Sequence, residues 1–335
     1  MQRLIVTEFC LIILMSVLVY GQQYPSIKYA HIKCLTTYDG SSKMYRYSYL
    51  VANSDSSNGN ISHIEIDVSK YPNQVEFDTA GLNFEIDGFT ESAFRRHYRA
   101  LQGKIIPVGF PSEPKHWLAL LSNDLTVTFA GYSPMIGPGN SLGDFVIMSK
   151  GQPGIRKFST SPYFDPAKYL PDPDVYPDSA VNMDSLDRTL NYYGWTIGPT
   201  APPIDFSASS WIDTLTSYKH QCVTLGWLTN GSVHEKDEDD DKADEGIVER
   251  LDRRLDKAKA ALAKSDSVKA RLELELFVKE VEQLYHKNKE EGERRGVPVL
   301  TSEGYALLKY NAQYLIDRLP EKHGRGDEGE RRGKK

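Results

Sequence analysis

The 335-residue sequence lacks several features by which functional classes are recognised. It has no basic excess: 40 Lys and Arg residues against 46 Asp and Glu residues leave a formal net charge of −6, whereas nucleic-acid-binding proteins usually carry surplus positive charge. It contains no HExxH, Walker or strand-linked GxGxxG motif, so neither a zincin-type metal site nor a nucleotide site is predicted. No cofactor, metal, catalytic residue or nucleic-acid partner is therefore expected.

Cysteine is also scarce, with Cys10, Cys34 and Cys222 as its three occurrences. Cys10 falls in the leader described below. Cys34 and Cys222 could form one disulfide in an oxidising compartment, or they could be two small buried hydrophobic residues. The sequence leaves both alternatives open, because it does not show whether the two side chains meet.

Residues 1–21 have the pattern of a signal peptide. Arg3 precedes an apolar stretch of eleven residues, and Val19 and Gly21 are small enough for the −3 and −1 positions of a cleavage site. That stretch is too short to span a bilayer, which takes about 20 residues, and no later apolar run approaches this length. We expect a protein exported to the periplasm, the cell envelope or the medium, and not membrane-spanning after cleavage.

Residues 27–206 are predicted to form a β-sandwich domain with a Pro-rich extension. Residues 44–51 and 64–68 alternate apolar or aromatic side chains with polar ones, and clusters of Gly, Asn and Pro separate the strand-like runs. This pattern is typical of antiparallel strands with one buried face. From residue 159 onward Pro recurs, which disfavours long helices and central strands.

Residues 207–227 are predicted to form a connector helix packed on the β domain. Trp211, Leu215 and Cys222 belong to one apolar stripe with helical spacing. Gly226 is placed to end the helix, since glycine readily adopts the left-handed conformation found after helix ends.

The C-terminal part is divided by charge. Residues 234–246 hold eight carboxylates and two lysines and are predicted to be a solvated acidic linker. Residues 247–319 show three helical stripes and are predicted to form a three-helix bundle, with Thr301 or Ser302 capping the third helix and a charged loop over 287–298. Residues 320–335 are predicted to be a disordered tail. The predicted fold class is mixed: an N-terminal all-β antiparallel sandwich plus a C-terminal all-α three-helix bundle.

Several stretches carry a resemblance to a known module. Residues 251–262 (LDRRLDKAKAAL), 277–281 (FVKEV) and 301–315 (TSEGYALLKYNAQYL) resemble the small FIMAH-type helical module of exported bacterial proteins. The stretches 138–145 (PGNSLGDF), 153–156 (PGIR) and 198–203 (GPTAPP) resemble the N-terminal β domain and connector of uncharacterised bacterial secreted proteins with this module. The resemblance implies a two-part architecture and brings no catalytic residues with it.

Three patterns with catalytic or metal-binding associations are outweighed by simpler interpretations. Residues 139–143 match GxSxG, but a nucleophile elbow needs a following helix, and a β-rich run follows here. The acidic linker begins like a calcium loop, but Lys242 and Val248 stand where Gly and Glu are required. Glu65 and Asp67 share one strand face and would serve glycoside chemistry only in a cleft.

Two groups of tyrosines are candidate binding surfaces. Tyr45, Tyr47 and Tyr49 alternate along one strand; they could stack on sugar rings, or they could form a sandwich core or sheet-edge ladder. Tyr310 and Tyr314 lie on the broad apolar face of the last helix, where they could dock a protein or complete the bundle core.

The sequence thus favours a non-enzymatic exported protein that binds an extracellular or envelope partner, either protein or carbohydrate. Its helical module would be an attachment or docking unit. The alternative is a secreted hydrolase acting on polysaccharide or protein, because a sandwich can host either function. A structural component of the cell envelope is a third hypothesis.

Overall fold

The computed structural model describes residues 24–70, 104–122, 125–133, 135–165, 183–230, 246–295 and 299–320. Within these residues the strands are β1 (Ala30–Asp39), β2 (Met44–Asn53), β3 (Ile61–Asp67), β4 (Val108–Ser112), β5 (Trp117–Leu121), β6 (Thr126–Gly131), β7 (Ser141–Ser149), β8 (Gln152–Pro162) and β9 (Tyr192–Thr200). The helices are α1 (Met183–Leu190), α2 (Ala208–Thr224), α3 (Ile247–Ala263), α4 (Ser267–Arg295) and α5 (Ser302–Ile316).

The strands form two antiparallel sheets. The four-stranded sheet has the order β1-β2-β7-β4, and the five-stranded sheet has the order β5-β6-β3-β8-β9. β3 is central in the larger sheet, where Ile64 lies opposite Phe129 of β6 and Thr160 of β8. Together with the C-terminal helices, these sheets confirm the predicted mixed fold class.

Aromatic rings join the inner faces of the two sheets. The ring centroid of Phe145, on β7 of the smaller sheet, lies 4.9 Å from that of Trp117 and 5.2 Å from that of Phe129, both on the larger sheet. All three side chains are buried. The alternation expected for a strand with one buried face is clear in β1, where every second residue from Ala30 to Thr36 is buried.

The chain divides into two compact units, and neither is continuous in sequence. The sandwich unit contains the described residues of 1–34, 46–150 and 155–200. The helical unit contains those of 35–45, 151–154 and 201–335, so the ends of β1 and β2 and the connection between them belong with the helices. The Pro-rich region of the sandwich unit supplies the strand β9, which lies at the edge of its sheet and is not a central strand.

The structure corrects the predicted placement of the connector helix. Its existence and its end are as expected: Gly226, with φ +69°, follows the helix. However, α2 packs against α3 and α5 and belongs to the helical unit. The Trp211 indole nitrogen donates a hydrogen bond to the Asn311 backbone carbonyl at 2.9 Å. The helical unit therefore contains a fourth helix besides the three that were predicted. The acidic linker lies between α2 and α3 along the chain, but the two helices are in contact.

Two further predictions concern the ends of the last helices. The prediction of a charged loop over 287–298 is wrong for residues 287–295, since α4 continues to Arg295, and residues 296–298 lie outside the described residues. Thr301 caps α5, as one of the two predicted candidates, by accepting a hydrogen bond from the Gly304 backbone N–H. The predicted signal peptide (1–21) lies outside the described residues, as do all but the first residue of the tail (320–335) and all but the last residue of the linker (234–246).

Candidate functional site

The tyrosines predicted on β2 have different environments. Tyr47 and Tyr49 are buried in the sandwich unit, which corrects their prediction as sugar-stacking residues and supports the core interpretation. Their ring faces are not accessible to a ligand in this conformation. Tyr45 is half-buried and belongs to the helical unit, where it meets other tyrosines.

A turn stabilised by Asp39 connects β1 to β2 beside this residue. The Asp39 carboxylate accepts hydrogen bonds from the Ser41 backbone N–H at 2.9 Å and from the Ser41 and Ser42 hydroxyls at 2.7 Å each. These bonds, those from Ser41 first, lower the pKa of Asp39 to about 2. The turn holds the ends of the neighbouring strands β1 and β2 together, next to Tyr38 and Tyr45.

Tyr45 links the strand ends to α5 through ring contacts. Its centroid lies 4.8 Å from that of Tyr38 and 5.4 Å from that of Tyr310, which it meets edge to face. The Tyr310 hydroxyl donates a hydrogen bond to the Thr36 carbonyl at 3.3 Å. Burial is the main cause that raises the pKa of Tyr45 and of Tyr310, so both phenols are neutral at physiological pH.

Lys309 extends the contacts along α5. Its Nζ lies 5.7 Å from the centroid of the Tyr310 ring and 5.1 Å from that of Tyr305, within the range of cation–π attraction. The ammonium donates to the Tyr305 hydroxyl and pairs with Glu282, both at 2.7 Å. Burial disfavours the charge on Lys309, but these two partners outweigh it and raise its pKa.

A stacked pair of tyrosines completes the surface. The rings of Tyr285 on α4 and Tyr305 on α5 lie 4.1 Å apart with their planes inclined by 17°. We call the five rings, together with the Lys309 side chain between them, the tyrosine strip: Tyr38, Tyr45, Tyr310, Tyr305 and Tyr285. Tyr38 is 46% exposed, and the other four tyrosines are half-buried.

The strip can present aromatic faces and hydroxyl groups at low entropic cost. Tyrosine has few rotatable bonds, a large apolar ring and a polar tip, which suits partly exposed contact surfaces. Because Lys309 already has a carboxylate partner, covering the strip would not leave this charge unpaired. The arrangement is suited to binding, and it offers no activated nucleophile.

Sequence analysis identified Tyr45 and Tyr310 but missed the other members. Tyr38, Tyr285 and Tyr305 come from three separate elements, and no local spacing connects them. Their proximity depends on how β1, α4 and α5 pack within the helical unit, which no motif records.

Tyr314, the second tyrosine predicted on the last helix, lies outside the strip. Its ring centroid is 4.9 Å from that of Trp211 and 5.7 Å from that of Phe206, and the Arg318 guanidinium lies over it at 3.3 Å. These neighbours cover the ring from α2 and from the end of α5. Tyr314 is half-buried, as Tyr310 is, but its neighbours differ from those of the strip.

Cys34 and Cys222 are buried thiols that no disulfide joins, so of the two predicted alternatives the structure shows the pair of buried residues. Cys34 faces the interior of the sandwich unit from β1, whereas Cys222 faces that of the helical unit from α2. Burial, and next the nearby Glu303 carboxylate, raise the pKa of the Cys222 thiol. A protonated, inaccessible thiol is not a nucleophile.

The two carboxylates that could serve glycoside chemistry only in a cleft have separate structural partners. Asp67 is buried and pairs with Arg156 at 3.3 Å, while Glu65 accepts a hydrogen bond from the Ser159 hydroxyl at 2.8 Å. The GxSxG match spans a turn and the start of β7, in agreement with the predicted turn. No cluster of three or more His, Cys, Asp or Glu side chains suited to a metal occurs in the described part of the chain.

Comparison with known proteins adds no assignment. No family model matches the chain, and no curated protein matches it. The resemblance to the FIMAH-type module therefore stays a prediction. Among the helices that the structure describes, none has the length and apolar character needed to cross a membrane.

Proposed function

We propose that this chain is an exported binding protein without catalytic activity, and that its helical unit docks onto an extracellular partner protein through the tyrosine strip. The observation that carries the proposal is the continuity of the strip. Tyr38, Tyr45 and Tyr310 form one succession of ring contacts, Tyr305 and Tyr285 stack as a pair, and Lys309 joins the two groups. Every one of the five rings keeps part of its surface exposed.

The composition of the strip favours a protein partner. Tyrosine is enriched among residues that dominate the energetics of protein interfaces, and lysine is depleted because its charge is costly to desolvate. Here the one lysine is neutralised by Glu282. Export is supported by the sequence pattern of residues 1–21, which predicts a secretory signal.

The hydrolase alternative has less support. Its candidate carboxylates would need to converge on a cleft, but Asp67 is buried against Arg156. A buried, ion-paired carboxylate cannot reach a polysaccharide or peptide without unfolding its surroundings. We therefore propose binding as the function.

Variants of the strip test this proposal. Full-length protein would be immobilised and exposed to the extracellular proteins of the producing organism, and the retained proteins quantified by mass spectrometry. The retained partner would then be purified and its Kd measured. Tyr38→Ala and Tyr310→Ala should weaken its binding about tenfold each, as expected when an interface tyrosine contributing about 1.4 kcal/mol is truncated.

Tyr132→Ala is the matched control, because Tyr132 is 78% exposed in the sandwich unit. It should retain the partner as wild type does. Equal retention by wild type and both strip variants would contradict the proposal. Sedimentation of the pure protein shows whether a second copy, and not another protein, is the partner.

A further inference from the structure

The edge strand β9 exposes two aromatic side chains on one face. Tyr193 and Trp195 are two residues apart, 38% and 44% exposed, and side chains at this spacing point to the same side of a strand about 7 Å apart. Both residues belong to the sandwich unit, whereas the residues of the tyrosine strip belong to the helical unit.

Glycine on the opposite face explains why these rings point outward. A Cβ atom at Gly194 would lie 2.6 Å from the Phe158 ring, so the backbone of β9 rests directly on this core side chain. A larger residue would force the Phe158 ring or the β9 backbone to shift. Because Gly194 lies on the side of β9 that contacts Phe158, its neighbours Tyr193 and Trp195 point to the other side of the strand.

Polar groups of both charges flank the two rings. The Nζ of Lys157, on the neighbouring strand β8, lies 6.0 Å from the centroid of the Trp195 ring. The Tyr193 hydroxyl donates to the Asp187 carboxylate, and Glu65 lies close enough to contribute to the raised pKa of Tyr193, whose largest cause is burial. Ser159, two residues from Lys157 on β8, binds Glu65.

We propose that the face formed by Tyr193, Trp195 and Lys157 binds a neutral polysaccharide built of equatorially substituted pyranose rings. Such rings have flat C–H faces that stack on aromatic side chains, and hydroxyl groups at their rim that donate and accept hydrogen bonds. Lys157 supplies donors and Glu65 an acceptor. A strongly charged ligand would be repelled by one of these two groups, whereas the hydroxyl groups of a neutral sugar can form hydrogen bonds with both Lys157 and Glu65.

The edge position of β9 could instead favour pairing with a second copy of the chain. Pro199 argues against this, because it lies within the strand and has no backbone N–H to donate to a further strand. The proposal concerns a site separate from the tyrosine strip, so it does not depend on the proposed docking function.

Calorimetric titration of the full-length protein with cellohexaose tests the site. Wild type and Tyr132→Ala should bind alike, and Trp195→Ala and Tyr193→Ala should bind about tenfold more weakly, the factor that corresponds to the loss of one aromatic contact. Strip variants such as Tyr38→Ala should bind cellohexaose as wild type does. Absence of measurable binding to wild type would overturn the proposal, as would equal losses in Tyr132→Ala and Trp195→Ala.

A second readout guards against an unfolded variant. Trp195→Phe keeps a ring at the site and should keep intermediate affinity, with an unchanged circular dichroism spectrum. In wild type, cellohexaose should shift the tryptophan fluorescence, and this shift should vanish in Trp195→Phe because the indole at the site is gone. A shift that persists in Trp195→Phe would place the ligand elsewhere and overturn the proposal.

Discussion

Arg156 places a positive charge inside the sandwich unit. It is the largest of the fully buried side chains among the described residues. Its Nε and Nη2 donate to the Pro199 carbonyl at 2.9 and 2.6 Å, and its Nη1 pairs with Asp67 at 3.3 Å. Asp67 in turn accepts from the Ser69 backbone N–H at 2.7 Å. The charge is tolerated because each partner is itself held in place.

Removing one partner should therefore be costly. Asp67→Ala removes the carboxylate that pairs with the buried guanidinium and should lower the free energy of unfolding by about 3–5 kcal/mol. Asp55→Ala, which removes an exposed carboxylate of the same unit, should change it by less than about 0.5 kcal/mol. Urea unfolding followed by circular dichroism measures both. Similar values for the two variants would show that the pair adds little to stability.

At the scale of elements, α5 begins directly on the segment that follows α2. The Thr301 backbone N–H donates to the Trp227 carbonyl at 2.9 Å, and Leu228 and Leu300 form a β-bridge. Gly304 lies in the first turn of α5, over this contact. A Cβ atom there would be 2.7 Å from the Trp227 carbonyl oxygen and 2.8 Å from Leu300 Cδ1. The start of the helix thus requires glycine for close packing, against its low helix propensity.

The Gly304→Ala variant tests whether close packing or helix propensity has the larger effect on stability at this position. Alanine is favoured over glycine in a helix by about 0.5–1 kcal/mol, but overpacking against a backbone carbonyl costs about 1–3 kcal/mol. We expect a net loss of thermal stability, seen as a lower Tm. Gly109→Ala is the control, because a Cβ at Gly109 would have no atom within 4 Å. A higher Tm for Gly304→Ala would contradict this expectation and would show that the segment around Trp227 can shift at little cost.

At the scale of the whole molecule, both units bury tyrosine hydroxyls. Burial is the largest cause that raises the pKa of six phenols above the usual 10, three in each unit. They are Tyr49, Tyr192 and Tyr193 in the sandwich unit, and Tyr45, Tyr285 and Tyr310 in the helical unit. The folded state therefore binds these protons more tightly than the unfolded state.

This difference predicts a loss of stability in alkali. A pKa raised in the folded state gives a contribution that is fully present below the unfolded pKa of about 10 and is lost as the pH rises through the folded pKa. The free energy of unfolding should fall above about pH 10. Tyr310→Phe lacks one of these phenols, so its free energy of unfolding should fall less between neutral and alkaline pH than that of wild type. Unfolding at several pH values and tyrosinate absorbance test this; a flat profile or ordinary phenol titration would contradict it.

Local sequence patterns indicated the fold class of this protein and part of its elements. Alternation marked β2 and β3, helical stripes marked α2, α3, α4 and α5, and Gly226 and Thr301 marked two helix ends. These features depend on residues within one or two turns of each other. They could be predicted because a helix or strand with an apolar face has few ways to bury it.

Tertiary structure alone decided which faces are covered and which are exposed. Tyr47 on β2 and Trp195 on β9 are both aromatic residues within strands, yet Tyr47 lies in the core and Trp195 is exposed, because different elements pack on the two strands. Likewise α2 belongs to the helical unit although the acidic linker divides it from α3, and Tyr285 meets Tyr305 only through the packing of α4 on α5. A contact between distant residues is an energetic outcome of the whole chain, and short-range spacing does not encode it.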